Sequence, residues 1–237
     1  MKPLAIGSVA LGEIPRVVAV IDEFMDMHRI ALLARNGVDI LEIRFDLISS
    51  DIPSLCVYVD KIKKTTDFPC ICTIRETDEN RETRLDIFKA VMPFVDAVDI
   101  EIDASINRQV IAHAAGKTVI VSEHDFEKTP DITHLGSIAE KAVALGANIV
   151  KIAAMAHSHR DVARLLMFAA GFDKPLVVIA MGASGAISRV AAPVFGSLFT
   201  YGYVNKSVAP GQLPIGKLVE ELRLYYPAFD GRCGRQT

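Results

Sequence analysis

One lysine, Lys151, lies in the middle of a short apolar stretch, residues 147–154, that is rich in β-branched side chains. The stretch is typical of a buried strand, in which Lys151 shares one side with Ile149 and Ala153. If both faces of that strand are covered, burial disfavours the ammonium and lowers the pKa of the lysine, and the resulting amine can attack a carbonyl carbon. The alternative is a lysine near the strand end whose ammonium extends to solvent.

Charged side chains at the ends of other predicted strands favour the first interpretation. Four other strands end with carboxylate, guanidinium or imidazole groups: Glu42 and Arg44, Arg75, the acidic set Asp99, Glu101 and Asp103, and His124. A pair such as Glu42 with Arg44 is equally typical of a structural ion pair. Because such groups recur on five strands when Lys151 is counted, we predict one common site.

These residue types limit the chemistry of the predicted site. A deprotonated lysine beside a histidine can form a Schiff base with a ketone, and the histidine can then move protons at the adjacent carbon and at a leaving oxygen. The iminium is the electron sink of such a reaction, so we predict no metal and no organic cofactor. Arginines from different strands would bind the carboxylate and hydroxyls of a small anionic substrate.

The scaffold must bring successive strand ends together, and strand and helix patterns alternate after Pro15. Strands are predicted over residues 16–21, 38–44, 69–75, 95–102, 117–123, 147–154, 175–181 and 196–203. Helices are predicted over residues 24–36, 52–65, 84–92, 105–115, 159–170, 186–192 and 215–225, with one more that ends near Leu145. Eight strands, each followed by a helix, predict a single-domain (β/α)8 barrel of the TIM type over residues 1–237, with a short β-hairpin around Gly7 and Ser8. A doubly wound open sheet is the alternative.

Composition narrows the class of protein. The chain has 237 residues, is 51% hydrophobic and has a formal net charge of -3 without a block of like charges. We therefore predict no nucleic-acid and no membrane partner, and the lack of a secretory pattern near Met1 predicts a cytoplasmic protein. Cys70 and Cys72 are predicted core residues, and His157 and His159 are interpreted as an exposed helix start rather than a metal site. The tail, residues 231–237, is predicted to be disordered.

Six short motifs occur in an order that resembles one enzyme family. They are Glu42-Ile43-Arg44, Thr73-Ile74-Arg75, Ser122-Glu123-His124-Asp125-Phe126, Val150-Lys151-Ile152-Ala153, Ile187-Ser188-Arg189 and Ala209-Pro210-Gly211-Gln212. Together they resemble the motifs of the type I 3-dehydroquinate dehydratases over nearly the whole chain. That resemblance implies an α/β barrel, a homodimer, and a lyase of the shikimate pathway that converts 3-dehydroquinate to 3-dehydroshikimate through a lysine Schiff base.

The resemblance implies a role for each residue at the centre of the site. Lys151 would form the Schiff base, and His124 would be the general acid and base. His124 would assist formation and hydrolysis of the imine, take the proton next to the iminium carbon and return a proton to the departing hydroxyl. Glu42 and Arg44 would hold hydroxyls of the substrate ring and tune His124 and Lys151.

Three more residues would complete the substrate contacts that the resemblance implies. Arg75 would contact the substrate, and Arg189 would pair with its carboxylate. Gln212 would close over the substrate from a mobile loop, although a plain surface turn is equally compatible with the sequence Pro210-Gly211.

The chain departs from the family pattern at several of these positions. Val20 stands where the family usually has a serine, and Val208 occupies the place of a loop serine. A serine occurs one residue earlier, at Ser207, and is predicted to make the substrate contact instead. Glu79 matches a family glutamate, but the glycines that usually follow it are missing.

Two other functions stay open. The first is a dehydratase-like domain that binds its ligand for regulation without turnover, which the substitutions at Val20 and Val208 suggest. The second is another lysine-dependent barrel enzyme of the aldolase type, which would need a phosphate site in the loops after strands seven and eight.

Overall fold

The computed structural model describes residues 4–230, and its main feature is a curled parallel sheet surrounded by helices. A short antiparallel hairpin, β1 (Ala5–Ile6) and β2 (Val9–Ala10), comes first. The barrel strands are β3 (Arg16–Ile21), β4 (Ile40–Arg44), β5 (Cys70–Thr73), β6 (Ala97–Glu101), β7 (Thr118–Asp125), β8 (Ile149–Met155), β9 (Leu176–Met181) and β10 (Phe199–Tyr203). A two-residue strand, β11 (Leu213–Pro214), pairs with the end of β10.

Helices connect the strands and cover the outside of the sheet. They are α1 (Met27–Arg35), α2 (Ile52–Thr65), α3 (Arg84–Val91), α4 (Asn107–His113), α5 (Ile132–Ala144), α6 (His159–Gly171), α7 (Ser188–Ala191), α8 (Ile215–Tyr225) and α9 (Pro227–Asp230). Polar side chains fix several of their starts, as where the Asp51 carboxylate accepts from the Ser54 N–H at 2.8 Å. Such caps satisfy N–H groups that the first turn of a helix leaves without partners.

The strand order distinguishes a barrel from an open sheet. Each strand from β3 to β8 pairs in parallel with the next one along the chain, and β10 returns to pair with β3. The seam between β9 and β10 is short, because an isolated bridge joins Leu176 to Ser197 and the Leu198 N–H donates to the Leu176 carbonyl at 3.0 Å. The predicted (β/α)8 barrel is therefore confirmed, and the doubly wound sheet is wrong.

Apolar side chains fill the lower part of the barrel. The interior cluster includes Val18, Ile71, Ile120 and Val177, and Ile6 of the hairpin packs into the same cluster. The hairpin is also tied to the start of β7, where the Thr118 hydroxyl donates to the Ala5 carbonyl at 2.7 Å. The hairpin thus closes the amino-terminal end of the barrel, and the polar groups inside the barrel collect at the carboxyl ends of the strands.

Most predicted elements agree with the structure. Helices α2 and α8 have the predicted bounds, and the hairpin is confirmed. Strand β7 continues to Asp125, two residues beyond its predicted end, because His124 still pairs with Ala153 of β8. Residues 231–237, predicted to be disordered, lie outside the described residues. That residues 1–237 form one domain stays a prediction.

Between residues 4 and 230, no helix has the length and apolar character needed to cross a bilayer.

Candidate active site

A cavity of about 560 Å³ opens at the carboxyl ends of the barrel strands. It is lined by apolar side chains of the upper barrel and by charged or polar groups from most of the strands: Glu42, Arg44, Arg75, Glu101, His124, Lys151, Arg189 and Gln212. The structure therefore brings together every residue predicted for the site except Ser207. A cavity of this volume suits a small molecule.

Lys151 lies at the centre of the cavity wall and is 4% exposed. Its Nζ is 2.7 Å from Oδ2 of Asp99 and 3.6 Å from Oε1 of Glu42. The same nitrogen lies 4.4 Å from the centroid of the Tyr201 ring. The lysine therefore does not extend to solvent, and its amine is held between two carboxylates and an aromatic face.

Asp99 and Arg75 orient the amine from the side of β6 and β5. Arg75 binds Oδ1 of Asp99 at 3.0 Å, and the Ser122 hydroxyl donates to the same oxygen at 2.6 Å. Burial alone would raise the pKa of the Asp99 carboxyl, but Arg75 and Lys151 hold that pKa well below its usual range. Asp99 is therefore an anion at neutral pH and a fixed acceptor for Lys151.

His124 lies beside Arg75, whose Nη2 is 3.5 Å from Nε2 of the imidazole. A guanidinium has only donors, so this contact assigns Nε2 as the unprotonated nitrogen of the ring. Burial, together with the cations Arg75 and Lys151, lowers the pKa of His124 well below its ordinary value. The imidazole is thus neutral at neutral pH and can accept a proton.

Glu42 and Arg44 have different partners, although they lie on the same strand. The Thr73 hydroxyl donates to Oε1 of Glu42 at 2.9 Å. Arg44 binds Asp46 through two hydrogen bonds, of 3.0 and 2.6 Å. Arg44 therefore forms its ion pair with Asp46 and not with Glu42, the partner considered from sequence. Both Glu42 and Arg44 face the cavity.

Arg189 is a cation of the cavity that has no carboxylate partner among the residues that the structure describes. It is 2% exposed, and its guanidinium donates to the carbonyls of Tyr201 and Pro210, both at 3.4 Å. Within residues 4–230 its Nε has no hydrogen-bond partner. Burial lowers the pKa of Arg189 to about 10, so the group stays charged at neutral pH. A buried, uncompensated guanidinium is suited to bind an anion.

The loop after β10 covers one side of the cavity. Gln212 is buried there, and its side-chain oxygen accepts from the Val208 N–H at 3.0 Å. Val208 lines the cavity, whereas Ser207 is exposed and donates to the Ala209 carbonyl at 2.8 Å. Val208 therefore occupies the inward position and Ser207 lies outside the cavity lining, so the contact of Ser207 with the substrate stays a prediction.

Sequence reasoning left two residues out of the site. Asp99 was recognised on the polar face of its strand but not selected, although it is the nearest carboxylate to Lys151. Tyr201 was not recognised at all, because an aromatic residue in an apolar strand is typical of a core. Its position two residues after Phe199, on the face of β10 that points into the barrel, is the signal that could have identified it.

Other groups weighed from sequence lie elsewhere. Cys70 and Cys72 are buried in the apolar core, as predicted. The His157 ring nitrogen Nε2 lies 2.6 Å from the Glu127 carbonyl. Over the described chain, residues 4–230, no group of three or more His, Cys, Asp or Glu side chains is arranged to hold a metal ion.

The fold and the cavity define a class of protein, a β/α-barrel enzyme with a buried lysine and a neutral histidine in its active site. Residues 17–228 match the family described as type I 3-dehydroquinase. The chain belongs to this family, and the resemblance predicted from six motifs is confirmed.

Individual relatives agree with this assignment. The chain is 38% identical over 218 residues to the 3-dehydroquinate dehydratase of Methanocella arvoryzae, covering 89% of this chain and 96% of that protein. The crystal structure of 3-dehydroquinate dehydratase from Geobacillus kaustophilus is similar, with a TM-score of 0.80 and 26% identity over 95% of this chain and 97% of that one. The type I enzyme from Clostridium difficile, solved with covalently modified comenic acid, has a TM-score of 0.82 and 25% identity, over 96% of this chain and 99% of that one.

Proposed function

We propose that this cavity dehydrates 3-dehydroquinate to 3-dehydroshikimate, a step of the shikimate pathway, with Lys151 as the Schiff-base nucleophile and His124 as the acid and base. The observation that carries the proposal is the burial of the Lys151 amine in the same cavity as a neutral imidazole and a guanidinium that has no carboxylate partner in the described part of the chain. Family membership supplies the substrate.

Binding begins with the charges of the cavity. Arg189 takes the substrate carboxylate, since within the described chain its guanidinium contacts carbonyl oxygens and no carboxylate. Glu42 accepts hydrogen bonds from ring hydroxyls, and Arg44 donates hydrogen bonds to them. Arg75 contacts the substrate beside His124. These contacts orient the ketone toward the Lys151 amine, which Asp99 fixes from behind.

The reaction then proceeds by formation of a Schiff base, elimination of water and hydrolysis. After the amine loses its proton, Nζ of Lys151 adds to the ketone carbon, and loss of water gives an iminium. His124 takes the proton from the adjacent carbon. The electron pair of the broken C–H bond moves toward the iminium nitrogen, which gives an enamine. That pair then expels the hydroxyl on the next carbon, and His124 donates the proton that makes it water. Hydrolysis of the iminium releases the product and restores the lysine.

Gln212 has a proposed role in closing the site. It lies in the loop that bears Val208 and is buried against the cavity. A side-chain amide in this position can donate to the bound substrate and exclude water from the iminium.

A homodimer and a cytoplasmic location belong to the same proposal. Apolar side chains are exposed on neighbouring outer elements, with Met167 at 68%, Val194 at 73% and Leu224 at 71%. Light scattering of the purified protein should give twice the chain mass, and Val194→Asp should lower it to one chain. The free thiols of Cys70 and Cys72 are compatible with a reducing compartment, which cell fractionation would test.

The test of the dehydratase function is the ultraviolet absorbance of the conjugated product. Wild-type protein with 3-dehydroquinate should generate it, and Lys151→Ala should lower the rate by about 10⁴-fold or more, because the nucleophile is removed. Borohydride added during turnover should attach the reduced adduct to Lys151. The exposed Lys174→Ala is the matched control and should retain both signals. Folded wild-type protein without absorbance and without adduct would contradict the proposal.

A second candidate is a ligand-binding domain without turnover. It has one observation in its favour, since Val20 and Val208 line the cavity where the family usually provides hydroxyls. Calorimetric binding of 3-dehydroquinate with no appearance of product absorbance would support it over the dehydratase.

A further inference from the structure

The hydroxyl of Tyr201 is a buried polar group without a partner among residues 4–230. Tyr201 is 3% exposed, lies on the inner face of β10 and lines the cavity. Within residues 4–230 its phenol oxygen makes no hydrogen bond. A buried hydroxyl that lacks a partner lowers the stability of the fold, so phenylalanine would serve packing at least as well. The hydroxyl is therefore expected to find its partner when the cavity is filled.

The surroundings of Tyr201 connect it to both ends of the proposed substrate site. Its ring faces the Nζ atom of Lys151, and its backbone carbonyl accepts from Arg189. Burial, with the carboxylates of Glu42 and Asp99, raises the pKa of the hydroxyl well above its usual value. The group is therefore protonated and available as a donor.

The Nε of Arg189 is a second donor for which the described residues provide no acceptor. Its Nε is also buried and unbonded within the described chain. By contrast, the nearby carboxylates already have partners, since Asp99 binds Lys151 and Arg75, and Glu42 accepts from Thr73. Two unsatisfied donors in one cavity match a ligand group that has only acceptors, and a carboxylate is such a group.

We propose that the Tyr201 hydroxyl is a further substrate-binding donor, which together with Arg189 holds the carboxylate of the substrate. This inference rests on the proposed function for the identity of that substrate. The ring and the hydroxyl then have separate tasks: the ring lies against the amine of Lys151, and the hydroxyl binds the far end of the same ligand.

Tyr201→Phe separates the two tasks, because it retains the ring and removes only the hydroxyl. KM for 3-dehydroquinate should rise about tenfold to a hundredfold, as for loss of a hydrogen bond to a charged group, with kcat changed less than about threefold. The melting temperature should stay the same or rise, which shows that the variant folds. The matched control is Tyr203→Phe, two residues further along β10 and outside the cavity lining, and its KM should not change.

A double-mutant cycle with Arg189→Lys tests whether the two donors share one carboxylate. If they do, the KM effects of Tyr201→Phe and Arg189→Lys should not multiply in the double variant. An unchanged KM in Tyr201→Phe, or KM effects that multiply fully in the double variant, would overturn the inference. The proposed function would still stand in that case if the wild type turns over 3-dehydroquinate. Absence of turnover and of adduct in the wild type would instead overturn the proposed function, and this inference with it.

Discussion

At the scale of single residues, most charged groups around Lys151 have an oppositely charged partner, whereas Arg189 has none among residues 4–230. Asp99 is fully buried and binds Lys151 and Arg75, so its charge is balanced within the chain. Arg189 is equally buried but is bound only by carbonyl oxygens and has no carboxylate beside it in the described residues. The paired charges hold the proposed nucleophile, Lys151, in place, and the guanidinium of Arg189 is a local positive charge that suits an anionic substrate.

The lowered pKa of His124 predicts the pH dependence of the reaction. A general base acts in its deprotonated form, so activity is lost as pH falls through the pKa of the base. Burial, Arg75 and Lys151 place that pKa well below the ordinary value of histidine, about 6.5. We expect kcat/KM to stay level from pH 8 down to about pH 6.5 and to decline only in more acidic buffer.

Arg75→Gln tests the cause of that shift. Because the Arg75 cation lowers the pKa of His124, its removal should move the acidic limb of the kcat/KM profile toward neutral pH. Arg108→Gln, an exposed arginine on α4, is the control and should leave the limb in place. If the acidic limb of the kcat/KM profile is the same in Arg75→Gln and in the wild type, His124 is not the base whose pKa that profile reports.

Side-chain alternation explains which site residues could be predicted. Lys151 and Glu42 lie in the interiors of regular strands, so counting by twos assigns them to the inner face. Ser207 lies in a loop, where no such alternation holds, and it is exposed outside the cavity lining. Tyr201 obeys the alternation, but its chemistry is visible only once Lys151 and Arg189 are placed around it.

At the scale of elements, the loop between β10 and α8 depends on one glycine. Gly211 has φ of 71°, and a Cβ at this position would overlap the backbone of Gly182. The loop is also joined there by the Gly182 N–H, which donates to the Pro210 carbonyl at 3.2 Å. Close backbone packing therefore sets the position of Gln212, the next residue.

Gly211→Ala should displace this loop. A side chain in the left-handed region combined with a steric overlap should lower the free energy of unfolding by about 1–3 kcal/mol. KM should rise because Gln212 leaves the cavity. Gly216→Ala is the matched control, since a Cβ there meets nothing within 4 Å and the residue lies in α8. It should be stabilising by about 0.4–1 kcal/mol, without effect on KM. Equal behaviour of the two variants in thermal melts and kinetics would contradict the assigned role of Gly211.

At the scale of the whole molecule, the alternation of strand and helix patterns was sufficient to predict the barrel. Parallel strands joined by helices can pair in chain order, as in a barrel, or with a reversal of strand order, as in a doubly wound open sheet. The pairing of β10 with β3 shows a closed barrel. The length of each pairing could not be predicted, because it depends on the partner strand. The β9–β10 seam, with one bridge, is the example.

That seam should limit the stability of the barrel. The Val178 N–H points toward β10 and donates to the Ser197 hydroxyl at 3.1 Å, a contact that replaces a backbone ladder. In Ser197→Ala this buried N–H loses its acceptor, so we expect a loss of about 1–3 kcal/mol in the free energy of unfolding. Denaturant melts should show this loss, and hydrogen exchange should show faster exchange of the Val178 amide.

The seam also connects stability to the site, because Arg189 follows β9 and Tyr201 lies on β10. A looser seam in Ser197→Ala should therefore raise KM as well, although Ser197 does not line the cavity. The exposed Ser137→Ala on α5 is the control and should change stability by less than about 0.5 kcal/mol. If Ser197→Ala matched this control in both measurements, the Ser197 hydroxyl would not be needed to close the barrel. The spacing of Arg189 and Tyr201 would then have to be fixed by α7 packing against β10.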